Sequence, residues 1–593
     1  MMTHTTRKAL AAMVGILLLA SAFYLYDLNT VSFWEDESWM AIAIGDGVSD
    51  VWDFATHRGV HPPLYFYLAY VMKPFISDTE YALRWMGGLV TLIGVALTFC
   101  LGRDISQDNR VGILAALIVT GSIYLLYLTR LARHYTLFYS LSALIYWLYW
   151  RWQARPNTRL ILAIMIVQAA LLYTHYFGAF TAMTIALHAL LTRQPIRGKS
   201  WQIVLAFIGS GILYMPWLPS IWAQLNGDLG TGVYYAANKL SDIPINYIGR
   251  ITNANALFGI GFLVAGLWAL WQQKRGSFTL LALLAIVGTF IPIIIINQTL
   301  FQWYIGRNML YTLPLVAVFY SIGLIHLWRN SISKVVISAF MIAFIGWGLL
   351  AYEDFYPGTA DWRGIMDVLA DSARPSDTFV IRGEPYSTDY YLRRFLDTRV
   401  TLLPMDDWVA EPVYSDRIWL IDSGQAVRFE AIAQIPDNMM MTRRLVRLPV
   451  VAEFYQRVPD APTATFDEQI AVGYTNDTLT AQAGNPLTID LWWQAVRTPD
   501  FNYSASVQLW GDARLIAQAD GNFDNGRMDA QVLPVGIWTP DTRQLMIPSD
   551  TPAGIYDVRI TVYDWRDNTR LAVLPDDSDQ LATITQVIVG NGE

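Results

Sequence analysis

Phe33-Trp34-Glu35-Asp36-Glu37-Ser38-Trp39 follows an apolar run over residues 9–29, and the pair decides how the chain is read. A run of that length matches the ~20 residues a helix needs to cross a bilayer core. Arg7-Lys8 precedes the run and no small-residue cleavage site follows it, so it reads as a retained anchor rather than a signal peptide. Three adjoining carboxylates at its far end are then expected on the outer face. The aromatic residues around them suit a segment lying at the membrane interface.

The rest of the chain extends this pattern. Of 593 residues 54% are hydrophobic, too many for one soluble domain of this length. The net charge of -8 hides an asymmetry: residues 1–351 carry 22 Lys/Arg against 13 Asp/Glu, and residues 352–593 carry 19 against 36. An acidic second half whose only cation is arginine excludes nucleic acid as a natural partner. Cys100 is the single cysteine, which leaves neither a disulfide framework nor a thiolate metal site.

About eleven runs reach span length by the bilayer rule: 9–29, 82–102, 111–129, 135–150, 160–174, 177–192, 202–222, 252–271, 278–297, 308–328 and 335–351. Their connections alternate in charge. One set holds most of the Lys and Arg, from Arg7 and Lys8 to Arg329 and Lys334. The other holds only Arg58, Lys73, Arg130, Arg133, Lys239, Arg250 and Arg307, with Arg84 just inside the second span. The positive-inside rule puts the first set in the cytoplasm. Residues 30–81, 130–134, the turn near His175, 223–251, 298–307 and the whole tail then face outward. The chain is expected to be a multi-pass plasma (inner) membrane protein with its chemistry and its tail outside.

Every chemically interesting residue falls on that outer side. Pro62-Pro63, after His61 and before Leu64-Tyr65-Phe66-Tyr67, is expected to lead into a short aromatic helix, since proline suits a first helical turn. Arg130-Leu131-Ala132-Arg133-His134-Tyr135 sets cations on an outward connection, against the orienting bias. A lipid phosphate headgroup would account for them, because guanidinium pairs phosphate bidentately; snorkelling to ordinary headgroups is the structural alternative. Arg307, in Trp303-Tyr304-Ile305-Gly306-Arg307, has the same position one loop later. Thr174-His175-Tyr176 adds an imidazole. With His57, His61 and His134 on the same side a metal site is conceivable, but none is assigned. An acid, several cations and aromatic surfaces at one interface suit sugar transfer from a lipid phosphate. A carboxylate takes the acceptor's proton, and cations stabilise the charge on the departing phosphate.

At these residues the sequence resembles the C-type glycosyltransferase superfamily, and within it the bacterial relatives of dolichyl-phosphate-mannose protein mannosyltransferases and of lipid A aminoarabinose transferases. The matching pieces are Asp36-Glu37, His61-Pro62-Pro63-Leu64-Tyr65, Arg84, Thr129 to Tyr135 and Thr174-His175-Tyr176, within roughly residues 8–350. The resemblance implies a polyprenyl-phosphate sugar donor, an inverting displacement and Asp36 as general base, with Glu37 supporting it or positioning the acceptor. Arg133 and Arg307, backed by Arg130 and His175, would hold the donor phosphate, and His61, Tyr65, Arg84 and Tyr135 would line the substrate site. The acceptor could be a glycan, a lipid or a protein. No cofactor is assigned; some members of the superfamily use a divalent metal and others do not. The trefoil insertion of eukaryotic-type protein mannosyltransferases is absent, so transfer to protein Ser/Thr is not implied.

The fold class expected is a polytopic α-helical membrane domain over 1–351 with two extracytoplasmic modules. Residues 352–450 read as a small α/β module, with helices at Trp362 to Ala373 and Tyr390 to Leu396 and strands at Asp377 to Ile381 and Arg417 to Ile421. Residues 451–593 read as an antiparallel β-sandwich, with strands such as Leu487 to Trp493, Tyr503 to Trp510 and Tyr556 to Tyr563. Trp510 and Trp538 could stack on sugars, though core packing is their commoner use. The rival reading is a flippase or transporter of lipid-linked sugar. Transporters place ionisable groups near mid-membrane, whereas these runs hold almost none.

Overall fold

The computed structural model describes residues 4–45, 47–57, 61–192, 200–226, 242–272, 276–299, 306–328, 330–352, 360–370, 373–374, 377–396, 402–413, 415–424, 429–475, 479–574 and 580–590. Arg58, Arg193, Arg197, Lys199, Lys239, Lys274, Arg275, Arg329 and the segment Trp303 to Ile305 lie outside the described residues. The chain forms two compact units, Met1–Thr359 and Ala360–Glu593.

In the first unit, α1 (His4–Leu25) ends short of the acidic run, which forms the first turn of α2 (Glu35–Ala43). Acidic side chains suit that position because the unpaired N–H groups of a helix start carry partial positive charge. Helices α3 (Val48–His57) and α4 (Leu64–Ile76) complete the connection to the next long helix, α4 starting directly after Pro62-Pro63 as the proline argument expects. There follow α5 (Glu80–Ser106), α6 (Asn109–Thr120), α7 (Ile123–Thr129), α8 (Tyr135–Ala154), α9 (Thr158–Thr174) and α10 (Gly178–Leu191). Helix α7 continues α6 across a 61° bend, and the other short connections make successive helices run in opposite directions. The start of α5, the end of α7, the start of α8, the end of α9 and the start of α10 therefore gather at one end of the bundle.

All eleven apolar runs fall on helices, but not all are long spans. Among the described residues, six helices are long and apolar enough to cross a membrane, and eight if two bent pairs, Asn109–Thr120 with Ile123–Thr129 and Pro244–Ile251 with Ala256–Ala269, are each one span. The other three runs lie on α8, α9 and α10. Helix α8 has length but carries Trp, Tyr, Arg and Gln; α9 and α10, of 17 and 14 residues, fall below the ~20 needed untilted.

Small residues set the helix contacts, as they do where lipid gives no hydrophobic drive to association. A Cβ on Gly94 of α5 would lie 2.4 Å from the Tyr139 ring of α8, and one on Gly102 would lie 3.1 Å from the Cα of Gly112 on α6. Hydrogen bonds cross at the same contacts: Thr98 with the Tyr139 hydroxyl at 2.9 Å, and Thr91 with Thr129 at 3.1 Å.

Among the described residues, the second unit holds three five-stranded sheets. In the first, β1 (Thr378–Arg382) lies parallel to β2 (Leu402–Pro404) and β3 (Arg417–Asp422), while β5 (Val450–Arg457) runs antiparallel to β3 and to β4 (Met439–Arg447). This sheet thus reaches Arg457, past the expected limit of the α/β module at 450. The other two sheets form the sandwich, and its long strands Pro486–Ala495, Ser504–Gly511 and Gly554–Tyr563 carry the three alternating runs seen in the sequence, except that Tyr503 falls just before the second strand. Its core tryptophan is Trp493, whose Nε1 donates to Asp541 at 2.9 Å. Trp510 and Trp538 are only half-buried. Asp490, on the sandwich strand Pro486–Ala495, accepts from Arg374 at 2.8 Å and Arg417 at 2.5 Å, which ties the sandwich to the α/β sheet.

Candidate active site

The three adjoining carboxylates have different environments. Glu37 is 0% exposed and Arg84, one turn into α5, is 2% exposed. The guanidinium grips both carboxylate oxygens, Nε to Oε1 at 2.9 Å and Nη2 to Oε2 at 2.7 Å. Its remaining donors reach the carbonyls of Leu28 (2.9 Å), Val31 (2.7 Å) and Ser32 (3.1 Å). Oε1 of Glu37 also accepts the Ala132 N–H at 2.7 Å. One buried ion pair thereby fixes α2, the start of α5, the segment after α1 and the Arg130–Tyr135 connection. Arg84 was expected at the substrate site. Its donors face Glu37 and backbone instead, so it positions the site from behind.

Asp36, one residue earlier and about 100° around the helix, leaves a third of its side chain open (32%). Its carboxylate lies between two guanidinium groups, Arg133 at 3.6 Å and Arg307 at 3.7 Å. Arg133 is held by the Asp36 carbonyl at 2.8 Å and lies over the Trp39 ring at 5.1 Å, with its Nε buried and unpartnered among the described residues. Arg307, at the start of a 3-10 turn over Gly306–Thr312, lies over Trp34 at 5.9 Å and Tyr135 at 5.4 Å. Aromatic faces stabilise a guanidinium without neutralising it, so both cations keep charge for an anion. Trp34 and Trp39 were expected only as interface anchors. Their spacing around the acids is the signal for the second role.

Three histidines adjoin this group. The ring centroids of His61 and His134 lie 4.2 Å apart, those of His134 and His175 5.1 Å, and those of His61 and His175 5.7 Å. Each offers a nitrogen within 4.8 Å of the others, a spacing from which they could hold a metal ion. Phe138 stacks on His175 at 4.9 Å, and the Phe177 N–H donates to its Nδ1 at 3.0 Å. Burial, with the positive field of Arg307 behind it, lowers His175 to about 3, and burial lowers His61 and His134 in the same direction. The three rings are neutral at ordinary pH. His57, at the exposed end of α3, is not among them; its ring meets Thr56 and the Asp53 carbonyl.

Of the other expected residues, Tyr65 is buried on α4, and burial pushes its phenol above the usual range. Arg130 turns away from the group. It donates to the Tyr26 carbonyl and lies over Tyr352 at 4.8 Å. There it lines a separate cavity of about 340 Å³ with Asp27, Thr30 and Arg84. It therefore does not join Arg133 and Arg307 at the anion position expected for all three.

Residues 60–222 match the family described as dolichyl-phosphate-mannose-protein mannosyltransferase. No curated protein matches the chain. Among solved structures, the chain is similar to ArnT from Cupriavidus metallidurans bound to undecaprenyl phosphate, at 12% identity and a TM-score of 0.54, over 75% of this chain and 97% of that one. The apo state of the same protein aligns at 12% identity and a TM-score of 0.53, over 76% and 98%. At that identity the likeness is one of fold. The family match over 60–222 and the shared fold make the membrane half of the chain similar to the protein mannosyltransferases and to ArnT.

Proposed function

We propose that the protein transfers a sugar from a polyprenyl-phosphate donor to an acceptor on the extracytoplasmic side, with inversion at the anomeric carbon and Asp36 as general base. The observation that carries this reading is the open Asp36 carboxylate held between Arg133 and Arg307, with an aromatic ring behind each cation. The donor phosphate takes the two guanidinium groups, whose 3.6 and 3.7 Å contacts with Asp36 are looser than the ~2.8 Å of a tight charge-assisted pair. The acceptor hydroxyl attacks the anomeric carbon and passes its proton to Asp36. The bond from that carbon to the phosphate oxygen breaks, its electron pair stays on the phosphate, and Arg133 and Arg307 stabilise the added charge. A phosphate leaves without a strong general acid, so no protonated partner is needed. Glu37 and Arg84 position Asp36 and the Arg130–Tyr135 connection and do not touch the reacting atoms. The family match and the ArnT fold support a lipid-phosphate donor, since one of the ArnT structures holds undecaprenyl phosphate.

The test uses the full chain in detergent with a panel of radiolabelled polyprenyl-phosphate sugars and a membrane extract as acceptor. Label should move with wild type and not with Asp36→Asn, while Asp36→Asn still binds the lipid donor. Normal turnover by Asp36→Asn would refute Asp36 as the base. Label that crosses vesicles without being transferred would replace the enzyme with a transporter.

A further inference from the structure

We infer that His61, His134 and His175 form a Zn2+ site next to the Arg133–Asp36–Arg307 group. The three residues come from separate segments: His61 precedes Pro62, His134 precedes the first residue of α8, and His175 caps the end of α9. Three independent pieces of chain thus bring imidazoles to one point, each with a nitrogen within 4.8 Å of the other two. One nitrogen on each ring has no hydrogen bond of good geometry among the described residues, though the Asn308 side chain lies close to His175. Nδ1 of His61 and Nε2 of both His134 and His175 are buried with no hydrogen bond among the described residues. One unsatisfied buried polar atom is costly and unusual, and one on each of three rings this close together calls for a shared ligand.

The donor set narrows that ligand. Neutral imidazole nitrogens without carboxylate or carbonyl oxygen suit Zn2+ and its near relatives, not Mg2+ or Ca2+. Zn–N bonds of ~2.0–2.1 Å in a tetrahedral site set the nitrogens ~3.3 Å apart, so the widest pair must close by roughly 1.5 Å. His175 must also change tautomer. Its Nδ1 now accepts from the Phe177 N–H, which leaves the ring proton on Nε2. Coordination through Nε2 moves that proton to Nδ1 and ends the hydrogen bond, so the 175–177 turn adjusts when metal enters. Three histidines leave a tetrahedral ion one open position. Arg133 and Arg307 disfavour a bare cation here, and an anion in the open position removes that conflict. A phosphate oxygen is the fitting fourth ligand. That last step rests on the proposed transfer reaction; the three-histidine site does not.

The test uses the full chain without a polyhistidine tag, exposed to Zn2+ in detergent, desalted and analysed for metal. Wild type should retain about one ion per chain, and His134→Ala and His175→Ala should retain none. Co2+ should give visible d–d absorption with wild type alone, and inorganic phosphate should perturb that spectrum. Thermal unfolding shows whether the variants are folded: Zn2+ should raise the melting temperature of wild type and leave that of a cooperatively melting His134→Ala unchanged. Absence of both retained zinc and a Co2+ spectrum in wild type refutes the site, as does equal retention by the variants. Zinc retention without transfer from any polyprenyl-phosphate sugar supports the site and refutes the transfer reading. Transfer by a wild-type chain that holds no zinc refutes the site and leaves that reading intact.

Discussion

Replacing Glu37 with alanine is expected to destabilise the membrane half by about 3–5 kcal/mol, the usual cost of removing one partner from a buried ion pair. The geometry argues for the full effect. Glu37 is 0% exposed and Arg84 2%, so the lost contacts lie away from bulk solvent. The Arg84 guanidinium would keep the Leu28, Val31 and Ser32 carbonyls and the Phe33 ring at 5.2 Å, but none of these carries a countercharge. The Ala132 N–H would lose its acceptor as well, a further loss of about 1–3 kcal/mol that overlaps with the first because both groups meet at Oε1. A double-mutant cycle separates the terms. Glu37→Leu with Arg84→Met removes both charges, and replacing a buried pair by apolar side chains is often close to neutral. The double variant should therefore be more stable than Glu37→Ala, short of wild type by roughly the orphaned Ala132 amide. Chemical denaturation of the full chain in mixed micelles, followed by tryptophan fluorescence, measures each corner. A Glu37→Ala variant within about 0.5 kcal/mol of wild type, in the range of ordinary surface substitutions, would refute a structural role for the pair.

Three other substitutions test separate contacts. Asp36→Asn should lower turnover by roughly 10²–10⁴, the range for a lost general base, with donor binding retained in a filter assay. Arg133→Ala and Arg307→Ala should each weaken binding of the proposed polyprenyl-phosphate donor by about tenfold or more, as expected when a charge-assisted contact of ~1.5–3 kcal/mol is lost, whereas Arg130→Ala should not. Gly94→Leu should destabilise the α5–α8 contact by about 1–3 kcal/mol or more, because even its Cβ would fall 2.4 Å from the Tyr139 ring; an unchanged melting temperature would contradict the packing.

Much of the membrane half was legible because its signals are periodic and local. Every apolar run proved helical, and the alternation of cations placed the ordered motifs on one side. The number of spans was less legible, since α9 and α10 are apolar throughout but stop at 17 and 14 residues, and hydropathy does not show where a helix ends. In the tail, alternating runs located the sandwich strands, while β5 joining the α/β sheet depends on pairing with β3 that no local pattern reports. Trp565, 57% exposed, carried no signal that would set it apart from a core tryptophan.

The roles within the acidic run could not be read from composition, because Glu35, Asp36 and Glu37 offer the same chemistry. Helical phase separates them. Successive residues on α2 are turned by about 100°, so Glu37 and Asp36 cannot share a partner. Glu37 points inward to Arg84 and to the Ala132 amide, while Asp36 meets Arg133 and Arg307 at an open face. The same division runs through Arg130-Leu131-Ala132-Arg133. Its backbone is gripped by Glu37 at Ala132, so Arg130 is sent to the cavity beside Tyr352 and Arg133 to Asp36. A single buried carboxylate thus decides which of two arginines reaches the site. This gives Glu37→Gln a specific consequence. The amide keeps the size of the side chain but offers one acceptor oxygen to the two contacts now made by Oε1 and the third made by Oε2. If that oxygen stays with Arg84, Ala132 is released and Arg133 loses its fixed approach to Asp36. Turnover should then fall more than donor affinity, since Arg307 still holds phosphate while the base is no longer aligned. A variant that lost affinity and kept its turnover number would show instead that Glu37 acts on the donor directly.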